Sequence, residues 1–351
     1  MIPVRYRLQR SLEKTLPPIT AAVLGRLPGF LYGRGLGDCL PVFVYHAVDR
    51  SFEDDLRYLR AGGYRAAGIG DIESYLATGR PHVPRTVALT FDDGDLSLTK
   101  VAAPLLHAYG FRAIGFVVSG LVPDEADGQL SGWRELRAAV AQGTLEIGAH
   151  SLFHHHVPVS PQVIGTVDAT TSTDFRANIP VARMQGNAAI APGMPILRGR
   201  PRYMTRAAFR PAEQTAEAWV DAGRPTILAG DRETQAEAER AIIDDMAQAQ
   251  DRIRDRCPNP AQAHLCYPWY AGDEWTDRLA ARAGVRCVYA GVERPTRLAG
   301  GDRPPRFQRL ASGFLRCLPG PGRVALPSVL ARNLVAGLSG RRRGIQYQYV
   351  A

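Results

Sequence analysis

The chain has 351 residues, of which 45% are hydrophobic and 22% are charged, and its formal net charge is +9. This composition is typical of a globular protein and excludes a disordered one, and the length allows one large barrel or two ordinary domains. A basic protein can bind nucleic acid, an anionic membrane or an acidic glycan. The sequence contains no nucleic-acid-binding motif, so we expect no nucleic-acid partner.

The cysteines and the N-terminal region bear on location. Five cysteines are scattered along the chain without a Cys-x-x-Cys pair, which argues against a disulfide framework and favours a reducing compartment. Residues 1–40 form a basic lead-in whose apolar part, Leu16 to Tyr32, is interrupted by Arg26 and has no small-residue cleavage site. We therefore expect an uncleaved N-terminus and a cytoplasmic location, with membrane association left open.

From residue 41 onward, apolar runs typical of strands alternate with periodic helical patterns. Ser51 and Thr234 each begin a helix with a capping-box pattern. Alternating strands and helices with short connections predict a parallel sheet with helices outside, which is either an α/β barrel or an open doubly wound sheet. The predicted strands are 41–46, 87–91, 111–118, 145–149, 264–268 and 285–290, and the predicted helices lie around 52–59, 72–76, 101–108, 133–140, 234–253 and 275–283.

The periodic patterns also divide the chain. We assign 41–312 to one barrel domain, interrupted at about 161–232 by a weakly periodic insertion that we expect to have no core of its own. The tail, 313–351, is basic and amphipathic, and its segment Val324 to Leu338 precedes Arg341-Arg-Arg343. A solvated helix is one interpretation of this tail, and peripheral contact of the basic, apolar termini with an anionic membrane is the other.

Polar side chains directly follow three of the predicted strands: His46, the pair Asp92-Asp93, and His150 with His154. The glycine after the aspartates predicts a turn that directs both carboxylates into one pocket. The four-residue spacing places the two imidazoles on one face of a helical turn. Each feature alone also fits a turn cap or a solvated histidine, but the carboxyl ends of parallel strands converge on the active face of an α/β barrel.

Together, one carboxylate and two imidazoles are the ligands of a catalytic zinc or a similar divalent ion. The second carboxylate is then placed to accept a proton from water. The sequence therefore predicts a metal-assisted hydrolytic site.

These motifs resemble those of the polysaccharide deacetylases, carbohydrate esterase family four with the NodB homology domain. Thr90-Phe-Asp-Asp-Gly94 resembles the first motif of the family, His150-Ser-Leu-Phe-His154 the second, and Leu265-Cys-Tyr-Pro-Trp269 the third. Tyr45-His46-Ala-Val48 resembles the Tyr-His-x-Val motif of the branch that includes bacterial poly-N-acetylglucosamine deacetylases. The resemblance covers about 41–160 and 233–312.

The resemblance implies a distorted (β/α)7 TIM-like barrel and a hydrolase of non-peptide carbon–nitrogen bonds. Such an enzyme removes acetyl or other N- or O-acyl groups from a glycan and uses one divalent metal ion, with zinc the first candidate and cobalt, nickel or iron the others. By resemblance the general base is Asp92, the metal ligands are Asp93, His150 and His154, and the oxyanion- or substrate-binding turn is Tyr267, Pro268 and Trp269.

Two departures from the family pattern stand out. Cys266 occupies the place of an arginine that orients the base in many members, and no histidine follows His264 to act as the usual general acid. In the Tyr-His-x-Val branch the early histidine is thought to be the acid, so His46 is our candidate, with a structural histidine as the alternative. The role of Arg309 stays open.

The substrate also stays open between several classes. An acetylated glycan or a lipid-linked sugar is the expected partner. The alternatives are a deformylase or deacylase of a lipid-linked amino sugar or another non-peptide amide, and a catalytically inactive barrel that binds glycan.

Overall fold

The computed structural model describes residues 27–171, 175, 179–181, 190–212, 216–292 and 294–338. Most of the basic N-terminal lead-in and the cluster Arg341 to Arg343 lie outside these residues, so membrane contact through the termini stays a prediction. Within the described ranges, no helix combines the length and the hydrophobicity needed to cross a bilayer.

A parallel sheet forms the centre of the molecule. Its hydrogen-bonded strand order is β12-β11-β10-β5-β4-β3-β1-β13, and β2 pairs with β3 outside this path. The strands of this sheet are β1 (Val42–Tyr45), β2 (Arg65–Ala66), β3 (Thr86–Phe91), β4 (Ala113–Val117), β5 (Leu145–Ala149), β10 (His264–Cys266), β11 (Cys287–Ala290), β12 (Arg306–Gln308) and β13 (Leu310–Ala311).

The two edges of this sheet meet in one chain segment. β12 pairs with β11 at one edge and β13 pairs with β1 at the other, and only Arg309 separates β12 from β13. The N–H of Arg309 donates to the carbonyl of Ala290 at 3.0 Å. The segment 306–311 therefore acts as one bent strand that closes a seven-stranded barrel, and the predicted distorted (β/α)7 barrel is confirmed.

Helices follow most of the barrel strands, as the alternation in the sequence predicts. The helices are α1 (Phe52–Ala61), α2 (Ile69–Thr78), α3 (Ala103–Tyr109), α4 (Trp133–Ala141), α5 (Ala216–Asp221), α6 (Gln235–Arg256), α7 (Glu274–Arg282) and α8 (Leu326–Leu338). The capping box at Thr234 is present, because Thr234 and Glu237 each accept the other's backbone N–H. The box predicted at Ser51 is wrong: Ser51 instead donates to the Asp49 carboxylate through its hydroxyl and its N–H.

The barrel has two apolar layers because successive strand residues point to opposite faces. Phe116, Tyr289 and Phe307 pack together in the smaller layer, with ring centroids 4.7 and 5.7 Å apart in the two successive pairs. Thr90 and Asp92 lie on the same side of β3 as Ala88 of this layer. The larger layer, including Leu89 and Phe91, packs against the surrounding helices. Asp92 therefore enters the barrel interior at the upper end of β3.

The region predicted as an insertion pairs antiparallel strands beside the barrel. Its strands are β6 (His156–Thr166) with β7 (Pro195–Pro201), and β8 (Phe209–Pro211) with β9 (Gly230–Arg232). The expectation that it has no core of its own is wrong, because Val167 and Ile196 belong to one small buried apolar cluster and Phe209 and Trp219 to another. These apolar residues are few and separated by proline and glycine, so their periodicity is weak in the sequence.

Candidate active site

The turn after β3 directs two carboxylates to the upper end of the barrel. Asp93 and Gly94 have positive φ angles of 73° and 74°, and the N–H of Asp92 donates to the carbonyl of Tyr45 at 2.9 Å. A Cβ at Gly94 would lie 3.2 Å from Val117, so a side chain there would also be crowded. Positive φ at a non-glycine residue such as Asp93 costs energy and often marks a functional site. The predicted turn is confirmed.

The two histidines lie on a loop after β5, not on the helical turn that the spacing suggested. Ser151 and His154 have positive φ angles of 69° and 56°, and the N–H of His154 donates to the Ser151 hydroxyl at 2.8 Å. This tight loop brings the rings of His150 and His154 to a centroid separation of 5.1 Å. Convergence therefore depends on backbone turns, which a residue spacing does not reveal.

Asp93, His150 and His154 form a convergent donor set. The Nε2 atoms of His150 and His154 lie 3.5 and 3.7 Å from Asp93 Oδ1, and all three side chains are buried. Ligands at about 2.0–2.1 Å from a tetrahedral zinc lie roughly 3.3–3.4 Å from one another. His150 Nδ1 lies 3.0 Å from the carbonyl oxygen of Cys266, which fixes the ring with Nε2 toward Asp93. The residues thus fit a divalent metal ion.

The protonation states of Asp93 and His154 suit the same ion, whereas His150 has to release a proton when a metal ion binds. Burial would lower the pKa of His150, but the charges at Cys266 and Asp92 and the hydrogen bond with Asp93 raise it well above its usual value. Burial tends to raise the pKa of Asp93, but a hydrogen bond from His150 and the charges of His154 and His46 lower it well below its usual range. Burial lowers the pKa of His154 to about 3. An ionised carboxylate and a neutral imidazole are the forms that bind metal.

Arg309, whose role the sequence left open, holds Asp92. Its Nη1 and Nη2 donate to the two oxygens of Asp92, each at 2.7 Å, and Nη1 also donates to the Thr90 hydroxyl at 3.2 Å. Both partners are at most 2% exposed. Burial would raise the pKa of Asp92, but the Arg309 charge, followed by those of His150 and His46, lowers it. Asp92 is therefore ionised and fixed in one orientation.

The missing motif arginine is thus replaced from a different strand. Cys266, which stands in its place, has its sulfur 2.7 Å from Arg309 Nη2 and 3.6 Å from Asp92 Oδ2. The small cysteine leaves room for the Arg309 guanidinium to reach Asp92 from the bent strand 306–311. The sequence predicted Asp92 in a pocket without naming a cation beside it. A buried charge needs a partner, so the missing cation was the signal that could have pointed to Arg309.

Arg309, Asp92 and the three side chains of the donor set open onto one cleft with a volume of about 850 Å³. The predicted site residues that line this cleft are His46, Asp92, Asp93, His150, His154 and Trp269. His46 is exposed at the end of β1, on the same cleft as the aspartates. The structure therefore brings the predicted acid candidate, base candidate and metal ligands together.

The third predicted motif contributes aromatic side chains. Trp269 and Tyr270, with φ angles of 52° and 58°, line the cleft, and the Trp269 ring lies 4.2 Å from the His154 ring. Tyr267 is buried, its hydroxyl donates to Asp277 at 3.0 Å, and its N–H donates to the carbonyl of Tyr289 at 3.3 Å. Pro268 is also buried. The oxyanion role of this turn stays a prediction.

We expect the protein loaded with zinc and then dialysed to retain about one ion per chain. The combined variant Asp93→Ala, His150→Ala, His154→Ala should retain none, because it lacks every ligand of the set. Elemental analysis of both proteins measures the difference. His155→Ala, which alters the neighbouring histidine outside the donor set, is the matched control and should retain the ion. Equal zinc in the wild type and the triple variant would show that the ion binds elsewhere.

Comparison with known proteins gives a sequence match on the segment that carries both aspartates and the two histidines of the donor set. Residues 79–184 match the profile of the family described as polysaccharide deacetylase. Over 118 residues the chain is 25% identical to the poly-beta-1,6-N-acetyl-D-glucosamine N-deacetylase of Escherichia coli K12, covering 30% of this chain and 18% of the relative. The chain thus spans less than a fifth of the length of that curated relative.

Solved structures agree on the fold. A de-N-acetylase from Aggregatibacter actinomycetemcomitans has a TM-score of 0.52 at 15% identity, covering 84% of this chain and 99% of that one. The BpsB deacetylase domain from Bordetella bronchiseptica has a TM-score of 0.50 at 19% identity, covering 78% of this chain and 95% of that one. At these identities the likeness establishes the shared barrel and no more.

Proposed function

We propose that this chain, which belongs to the polysaccharide deacetylase family, removes N-acetyl groups from a polysaccharide by hydrolysis of the amide bond. The observation that carries the proposal is the pairing of a fixed, ionised Asp92 with an adjacent set of three metal-binding side chains. These two features place a general base beside a site for a Lewis-acidic metal ion, a combination that promotes attack of water on an amide. The name of the Escherichia coli relative suggests poly-N-acetylglucosamine as the first substrate to try.

Asp92 acts as the general base. It accepts a proton from the attacking water, and Arg309 keeps the carboxylate in the orientation that reaches this water. Asp93, His150 and His154 hold the divalent metal ion, for which zinc is our first candidate. When bound, the ion polarises the acyl carbonyl and stabilises negative charge on its oxygen. The barrel residues around Asp92 keep its carboxylate away from bulk solvent.

His46 acts as the general acid from the end of β1, where it lines the same cleft as Asp92 and Asp93. As the tetrahedral intermediate collapses, the leaving amine takes a proton, which an imidazole can deliver. Its exposed position on the cleft that holds both aspartates supports this role. Trp269 and Tyr270 supply aromatic surface against which a sugar ring can pack.

Acetate release from a panel of acylated glycans tests the proposed function. The panel includes oligomers of β-1,6-linked N-acetylglucosamine, an O-acetylated glycan and a formylated amino sugar, each assayed with added zinc, cobalt or nickel. We expect acetate from the N-acetylglucosamine oligomers. Formate release alone would identify a deformylase, and glycan binding without any release would identify an inactive barrel.

We expect His46→Ala to lower turnover of an N-acetylated sugar by about a hundredfold or more, the usual scale for general acid catalysis. An aryl acetate should be affected far less, because its leaving group departs without a proton. Zinc content should not change. His82→Ala, in an exposed loop, is the control for loss of a histidine. Near-normal turnover of the amide by His46→Ala would assign the acid role to another group.

A further inference from the structure

The cleft extends beyond the predicted catalytic residues toward the C-terminal helix. Besides the aspartates and histidines, it is lined by Ser312, Gly313, Phe314 and Asn333. Its volume of about 850 Å³ lies near the upper end for sites that enclose a whole drug-sized ligand, roughly 300–1,000 Å³. The cleft therefore has room for more than one sugar unit.

Helix α8 is held firmly against the barrel domain at this point. Leu326 and Val329 are 7% and 2% exposed and belong to the main apolar core. Asn333 follows Val329 by four residues, so it lies on the same face of the helix. Asn333 is half-buried, at the position where this face leaves the core and borders the cleft.

Gly313 keeps the space beside Asn333 open. A Cβ at Gly313 would lie 3.7 Å from Asn333 Oδ1 and 4.0 Å from Val329, which is ordinary contact without a clash. The absence of a side chain thus leaves a space the size of a methyl group between residues 312–317 and helix α8, beside Asn333 Oδ1. An asparagine amide both donates and accepts hydrogen bonds without carrying charge, which matches the hydroxyl and acetamido groups of a neutral sugar.

We infer that Asn333 binds the sugar unit next to the one that is deacetylated, so that the site favours oligomers over monosaccharides. This inference rests on the proposed function. Asn333 is then a specificity-determining residue outside the three sequence motifs, and helix α8 forms one wall of the substrate groove.

Steady-state kinetics of Asn333→Ala test the inference with an N-acetylglucosamine pentamer, the monosaccharide and an aryl acetate. Loss of a hydrogen bond between neutral partners costs about 0.5–1.5 kcal/mol, so KM for the pentamer should rise about 2- to 10-fold. Its kcat, and both constants for the aryl acetate, should stay unchanged. Ser328→Ala, exposed on the same helix, is the matched control and should match the wild type.

Gly313→Ala provides a second variant that leaves the sequence of the helix unchanged and places a methyl group against Asn333 Oδ1. The backbone at Gly313 is not in the left-handed region and an added Cβ makes only ordinary contacts, so alanine is accommodated there and its methyl group restricts access to the Asn333 amide. We expect the same rise in KM for the pentamer and normal hydrolysis of the aryl acetate. If the wild type hydrolyses the pentamer and both variants have the same KM as the wild type, Asn333 does not bind the neighbouring sugar unit, while the proposed function stands. If the wild type releases no acetate from any glycan, the proposed function itself is overturned.

Discussion

Asp92→Asn is expected to lower kcat by about 10²- to 10⁴-fold, the range over which general base catalysis contributes. An amide in place of the carboxylate cannot accept the proton of the attacking water. The change is nearly isosteric, and the proposed metal ligands Asp93, His150 and His154 are untouched, so the variant should still bind zinc. Acetate release and zinc content, measured on the same preparation, test both parts.

Asp54→Asn is the control for this substitution, since Asp54 is exposed on α1 and should leave activity unchanged. Loss of zinc together with activity in Asp92→Asn would make Asp92 a ligand. The division of roles between the two adjacent aspartates would then be wrong.

Arg309→Met is expected to reduce both stability and activity. Removing one partner of a buried ion pair leaves an uncompensated charge and costs about 3–5 kcal/mol. The Arg309 charge lowers the pKa of Asp92, so its removal raises that pKa and a higher pH is needed to ionise the base. Activity near neutral pH should fall, and the acid limb of the rate profile should move upward. Denaturant unfolding and a pH–rate profile measure the two effects.

Two further variants distinguish the effect of losing the Arg309–Asp92 ion pair from the effect of losing one positive charge. Arg306→Met removes a cation from the same strand, but its partner Asp277 keeps a second bond from Arg297 at 2.9 Å; this variant should retain activity. In Arg309→Met combined with Asp92→Asn, no unpaired carboxylate remains, so part of the lost stability should return. Additive losses in the double variant would contradict direct coupling between Arg309 and Asp92.

Much of the site could be predicted because its residues stand where apolar runs stop. Asp92, Asp93 and His150 come directly after strands whose hydrophobicity is plain in the sequence. In a parallel barrel the ends of these strands share one face. The order of strands and helices therefore fixed both the fold class and the neighbourhood of these side chains.

The remaining features depend on contacts between distant parts of the chain. Arg309 and Asp92 are 217 residues apart, and no local pattern links them. His150 and His154 converge through positive φ angles at Ser151 and His154, whereas the spacing alone suggested a helix. Asn333 reaches the cleft only because Val329 anchors its helix in the core.

The bent strand that closes the barrel also has a consequence for biosynthesis. A chain emerging from the ribosome presents Asp92 long before residue 309 exists, and domains generally fold from the N-terminus as synthesis proceeds. Until the segment 306–311 joins β11 to β1, the carboxylate has no guanidinium partner. A nascent chain can thus hold most of its helices and strands and still lack the ion pair that fixes Asp92, the proposed base. The proposed acetate release, measured during translation, should therefore begin only when the segment 306–311 closes the barrel.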